Sequence, residues 1–190
     1  PEVDEFCRKH IYQATVDAMA AEGREFKGVI FFGLMLTAQG PRVLEYNARF
    51  GDPEAQVVLW RMKNDIMDVL DACIDGSLDQ VELEFEDDAA VCVVLASKGY
   101  PLSYEKGFEI TGLEKFEGRD DYYCFHAGSR FDGQGRIVTN GGRVLGVTAR
   151  GADLKEARAK AYEAAGWVSF ANKYMRGDIG RAIDEAQSIK

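Results

Sequence analysis

Leu44-Glu45-Tyr46-Asn47-Ala48-Arg49-Phe50-Gly51-Asp52-Pro53-Glu54 is the stretch on which the reading of this chain turns. Its first half reads as a strand, whose side chains alternate between two faces. Glu45, Asn47 and Arg49 then share one face. Leu44, Tyr46 and Ala48 share the other, which can pack. A carboxylate, an amide and a guanidinium at two-residue spacing are more than a solvated strand needs. A carboxylate beside an amide oxygen suits a hard cation that keeps water and phosphate oxygens as its other ligands. The adjacent arginine suits a phosphate or carboxylate oxygen. The second half reads as a helix start: Asp52 can cap, Pro53 fits the first helical position, and Glu54 suits the positive end of the helix dipole. A cation-ready strand thus runs into a helix N-terminus, a place where anions bind. Taken singly, each residue is better explained by a solvated hairpin followed by a capped helix.

The chain around this stretch has 190 residues, 46% hydrophobic and 29% charged, the balance of a globular domain with a real core. A net charge of −9 argues against a nucleic-acid surface, which needs clustered Lys and Arg. It leaves room for a small phosphorylated ligand in a local basic pocket. Cys7, Cys73, Cys92 and Cys124 are scattered, with no metal-ligand spacing, and read as buried thiols in a reducing cytoplasm. The longest apolar run, residues 28–36, is too short to span a membrane, and no signal peptide is expected.

Outward from the central stretch, residues 2–22 read as a helix. A start on a helix without Met points to a fragment. Residues 28–36 are continuously apolar and predict a strand buried on both faces, joined through Gly40-Pro41 to a strand over 43–49. Helices are predicted over 53–63 and 66–74, the second stopping at Gly76. The acidic stretch 77–88 reads as a solvated loop and marks a domain boundary. Strands follow over 89–96, 108–110, 122–127, 136–139 and 143–149. Asn140-Gly141-Gly142 predicts a type I′ hairpin, which accounts for Asn140 and Gly141 but not for Arg143. Asp153 caps a helix running to about 174, with a face of small residues. A short helix is expected from about 179. No Ser-His or Cys-His pairing is suggested by spacing.

Two runs give the chain a family resemblance. Arg49-Phe50-Gly51-Asp52-Pro53-Glu54-Ala55-Gln56 resembles a signature of the glycinamide ribonucleotide synthetase family, within the ATP-grasp superfamily. Thr139 onward to Ala149 is similar to a second segment of that family. His126-Ala127-Gly128 and the run from Arg176 to Gly180 also match, and both are read as structural. Ala96-Ser97-Lys98-Gly99-Tyr100-Pro101 resembles the family's glycine-rich turn, with Lys98 where a glycine is usual. The resemblance covers essentially the whole chain but only the C-terminal part of the family's sequence.

The resemblance implies an α+β fold. Residues 1–86 would be the C-terminal half of an ATP-grasp catalytic domain. Residues 87–190 would be a small, mostly antiparallel β domain packed by a long helix. It implies ATP-dependent joining of glycine to 5-phosphoribosylamine through glycyl phosphate, in a cytoplasmic enzyme of purine biosynthesis. Glu45 and Asn47 would ligate Mg²⁺ or Mn²⁺, since residues 29–36 lack the acidic ligand that many ATP-grasp enzymes carry there. Arg49 would act on phosphoryl or acyl-phosphate oxygens as the catalytic arginine. Gly51, Asp52 and Arg143 would hold substrate in a shared cleft. The segment alone, without the ATP lid and the N-terminal part of the protein, is expected to be inactive. Two other readings are another ATP-grasp ligase and a non-catalytic module that kept this half of the fold.

Overall fold

The computed structural model describes residues 2–181, and its α-helices accompany sheets that are antiparallel throughout. The α+β class expected from the sequence is the one found. The chain forms two compact units. One holds the chain as far as Gly51 together with Asn64–Glu84; the other holds Asp52–Lys63 and the chain from Phe85 onward.

In the first unit, α1 (Glu2–Cys7), a π-helical turn (Arg8–Tyr12) and α2 (Gln13–Ala21) replace the single α-helix expected over 2–22. The amide of Gln13 reaches back to the Arg8 carbonyl, the wider π spacing. Then β1 (Phe31–Thr37) and β2 (Gly40–Asn47) form a hairpin. The double burial expected of the first strand is not found: Met35 and Leu36 are 50% and 66% exposed. An unbroken apolar run does not by itself specify two buried faces, and this sheet has only two strands. Leu44 and Tyr46, expected to pack, are also largely exposed. The cause at Leu44 is a slip in register. Gly33 faces Glu45 and Leu34 faces Val43, so Leu44 is left unpaired as a bulge. Helix α4 (Ile66–Asp75) follows later in this unit. It is capped by the Asp65 carboxylate, which accepts from the Met67 amide at 2.9 Å, and it closes at Gly76. Glu82 and Glu84 are exposed, as a solvated acidic loop requires.

The second unit opens with α3 (Ala55–Arg61). The helix expected from Pro53 starts two residues late, and Asp52 does not cap it. The Asp52 carboxylate instead accepts from the Gln56 side chain at 2.9 Å. Glu54 occupies the cap position without a side-chain bond.

The strands of this unit are β3 (Ala89–Ser97), β4 (Tyr122–His126), β5 (Ser129–Phe131), β6 (Ile137–Thr139) and β7 (Arg143–Gly151). After them come α5 (Leu154–Trp167) and β8 (Lys173–Tyr174). The main sheet has the order β4-β7-β3-β8, and β5 pairs separately with β6. The strand expected over 108–110 is reduced to a single bridge from Glu109 to Val138. The hairpin expected at Asn140 is absent, because β6 and β7 belong to different sheets. A type I′ turn needs positive φ at both central residues, and neither Asn140 nor Gly141 has it. The Asn140 amide donates instead to the Gly128 carbonyl at 2.7 Å.

Helix α5 begins with a reciprocal cap. Asp153 accepts from the Glu156 amide and Glu156 accepts from the Ala152 amide, each at 2.8 Å. Ala157, Ala161, Ala164 and Ala165 are fully buried against Val93, Leu95, Leu145 and Val147. Their small side chains let the helix lie close to the sheet. The helix stops at Trp167 rather than near 174, because Ser169 turns extended and pairs with Thr111. Lys173 donates to the carbonyls of Ala165 and Val168. The helix expected from about 179 lies largely outside the described residues.

Candidate active site

Glu45 and Asn47 share one face of β2, and the Asn47 amide nitrogen lies 3.4 Å from Glu45 Oε1. The bulge at Leu44 re-aims Glu45, and Gly33 directly opposite makes room for it. A Cβ at Gly33 would stand 2.7 Å from Glu45 Cγ, so the acid's stem lies across β1 only because position 33 is glycine. The sequence reading missed Gly33. Its signal was a lone glycine inside an apolar strand, which marks a bulge or a close approach.

Arg49 does not share that face. β2 ends at Asn47, and Arg49 lies in the bend beyond it, exposed, with Nη1 donating to the Phe50 carbonyl at 2.6 Å. Gly51 is buried.

Asp52 and Arg143 are brought together within the second unit. Arg143 Nη1 donates to the Asp52 carbonyl at 2.6 Å and lies 3.7 Å from its carboxylate. Arg143 Nε faces the Tyr100 hydroxyl at 3.4 Å, and this bond is the first cause that holds the guanidinium pKa above its usual value. Here too a register slip aims the side chain. Leu145 faces Leu95 and Arg143 faces Ala96, leaving Val144 unpaired. Strict alternation would have put Arg143 on the face of Leu145, in the core. Arg143 instead lines a cavity of about 480 Å³ with Pro53, Cys92, Tyr100 and Arg176. Helix α3, which carries Gln56, is tied to the sheet through Asp88. That carboxylate lies 3.5 Å from Arg61 Nε and in short contact with Arg150 Nε.

Other candidate chemistry is muted. Burial pushes the Cys92 thiol up to about 11 and the Cys124 thiol up to about 12, so both stay protonated near neutral pH. His126 Nδ1 pairs with the Ser129 hydroxyl at 2.7 Å, a local contact between neighbouring strands. Among the described residues there is no group of three or more His, Cys, Asp or Glu able to hold a metal. No helix among them is long and apolar enough to cross a membrane.

Residues 90–182 match the family described as Phosphoribosylglycinamide synthetase, C domain, and residues 1–55 match its ATP-grasp (A) domain. The chain belongs to the phosphoribosylglycinamide synthetase family. Over 169 residues it is 49% identical to a phosphoribosylamine–glycine ligase of Caldanaerobacter subterraneus subsp. tengcongensis, covering 89% of this chain and 40% of that protein. It is 45% identical over 190 residues to a chloroplastic phosphoribosylamine–glycine ligase of Arabidopsis thaliana, covering 98% of this chain and 36% of that protein. The crystal structure of a phosphoribosylamine–glycine ligase from Thermotoga maritima superposes with a TM-score of 0.79 at 36% identity, covering 94% of this chain and 44% of that one. The chain thus spans about two fifths of the length of these synthetase-family relatives.

Proposed function

We propose that the protein carrying this segment joins glycine to 5-phosphoribosylamine at the expense of ATP, in the cytoplasm. A glycine carboxylate oxygen takes the γ-phosphoryl group and ADP leaves. The amine nitrogen then attacks the acyl carbon and phosphate leaves, giving glycinamide ribonucleotide. What carries this reading is the unbroken Arg49–Gln56 run in a chain 49% identical to a protein named for that ligation. Residues 1–86 would serve as the C-terminal half of the ATP-grasp catalytic domain and residues 87–190 as the C-terminal domain.

One carboxylate and one amide, side by side on β2, fit a cation that draws its remaining ligands from water and phosphate. They fit no all-protein cage. Glu45 and Asn47 would hold Mg²⁺ or Mn²⁺, the asparagine turning its amide oxygen toward the ion. When bound, the ion neutralises charge on the transferred phosphoryl group. Arg49, exposed just beyond the strand, would offer its planar fork to phosphoryl or acyl-phosphate oxygens. The Gly51-Asp52 backbone would help hold substrate, and Arg143 would contact the phosphate of phosphoribosylamine.

The test is product formation by the full-length protein from ATP, glycine and phosphoribosylamine. Stoichiometric ADP, phosphate and glycinamide ribonucleotide are expected. ATP turnover with a different amine or acid acceptor, and none with this pair, would overturn the assignment.

A further inference from the structure

We propose that Tyr100 is a positioning residue for Arg143, gripping one edge of the guanidinium so that another edge is presented to an anionic substrate. The inference rests on the reading of Arg143 as a substrate contact. Arg143 is held at two points: Nη1 on the Asp52 carbonyl and Nε on the Tyr100 hydroxyl. Its third nitrogen, Nη2, makes no hydrogen bond to any described residue. Arginine has five donors in a rigid fork, so fixing two nitrogens fixes the direction of the third.

Tyr100 can do this because its own place is fixed. Its ring lies against Gly142, where an added Cβ would overlap Cδ2, so the neighbour of Arg143 must lack a side chain. The turn that carries Tyr100 is pinned to the same segment. The Ser97 amide donates to the Gly142 carbonyl at 2.8 Å, and the buried Ser97 hydroxyl donates to the Gly141 carbonyl at 2.9 Å. The Tyr100 amide then closes the turn on the Ser97 carbonyl at 3.1 Å. Hydroxyl and guanidinium therefore sit on one rigid framework. A long side chain held in advance gives up less conformational freedom when its ligand arrives.

The experiment is a double-mutant cycle in the full-length protein, with phosphoribosylamine varied at saturating ATP and glycine. Tyr100→Phe keeps the ring on Gly142 and removes only the hydroxyl. It should raise KM for phosphoribosylamine about fivefold, the worth of one net hydrogen bond. The turnover number, the KM values for ATP and glycine, and the melting temperature should stay put. Arg143→Ala should raise the same KM at least as much, and adding Tyr100→Phe to it should change nothing further. Additive effects overturn the inference, as does an unchanged KM in Tyr100→Phe beside a raised one in Arg143→Ala. So does a general loss of turnover with a lowered melting temperature. If Arg143→Ala itself keeps the wild-type KM, the reading of Arg143 as a substrate contact fails and takes the inference with it.

Discussion

Arg143 Nη1 donates to the backbone carbonyl of Asp52 at 2.6 Å, across 91 positions of sequence. The bond joins the middle of the Arg49–Gln56 run to the first residue of β7. It goes to a carbonyl, so no substitution of the Asp52 side chain can remove it. Arg143→Lys tests it. Lysine keeps the charge but is a single point, and cannot reach Asp52 and Tyr100 together in the same geometry. The expected outcome in the full-length enzyme is a KM for phosphoribosylamine raised about tenfold, equivalent to about 1.4 kcal/mol. Steady-state kinetics on each substrate in turn checks it, and wild-type values throughout would make the arginine structural.

Helix α5 depends on its first turn, where the Asp153 carboxylate accepts from the Glu156 amide and the Glu156 carboxylate accepts from the Ala152 amide. Asp153→Ala removes one half of that exchange and should cost about 1 kcal/mol of stability. Chemical denaturation measures it. Asp153→Asn, which can still accept the Glu156 amide, should recover most of the loss.

The β5–β6 hairpin turns on Asp132. Backbone amides of Arg136 and Gln134, followed by the Arg136 side chain, hold its carboxyl below the ordinary aspartate value of 3.8. A carboxylate whose folded pKa is depressed stabilises the fold above its unfolded pKa, and that contribution is lost as pH falls through the folded value. Asp132→Asn keeps the shape of the turn and removes the titration. The melting-temperature gap between wild type and Asp132→Asn should be widest near neutral pH and close as pH drops below 3.8. A gap that stays constant through that window would show that the carboxylate does not contribute by ionisation.

Much of the fold could be read from local chemistry. The cap at Asp153, the stop at Gly76 and the alanine face of α5 follow from rules that act over a few residues. The two bulges could not be read. An unpaired Leu44 or Val144 looks like any apolar residue in an alternating strand, yet each decides where a candidate site residue points. Strict alternation put Arg49 on the face of Glu45, whereas β2 ends at Asn47. The hairpin at Asn140 failed for a related reason. Local turn chemistry carries no information about β7's neighbours, which are β3 on one side and β4 on the other.

Arg49 is exposed, and its only side-chain bond among the described residues goes to the carbonyl of the next residue, Phe50. A surface arginine with so local a contact contributes little to stability, at most about 1 kcal/mol. If its fork acts on phosphoryl or acyl-phosphate oxygens, Arg49→Lys should lower turnover by about a hundredfold, the scale for loss of one oriented donor to developing charge. The melting temperature should barely move. Both are measurable on one preparation, and unchanged turnover would withdraw Arg49 from the site.

Glu45 offers the sharpest separation of placement from charge. Glu45→Gln keeps the stem across Gly33 and removes the negative charge. Gly33→Ala keeps the charge but puts a methyl where Glu45 Cγ now lies, 2.7 Å away. If Glu45 holds a divalent cation, both changes should weaken binding of Mn²⁺ to the full-length protein, read directly by electron paramagnetic resonance without turnover. Glu45→Gln should do so by removing a charged ligand, on the order of tenfold or more. Gly33→Ala should do so by displacing that ligand, with Glu45 still ionised. The methyl meets Glu45 Cγ, close to the root of the side chain, so the glutamate must swing to another rotamer and carry its carboxylate with it. Wild-type Mn²⁺ affinity in both variants would remove Glu45 from the metal site. Loss in Glu45→Gln alone would keep the ligand and show that Gly33 does not place it.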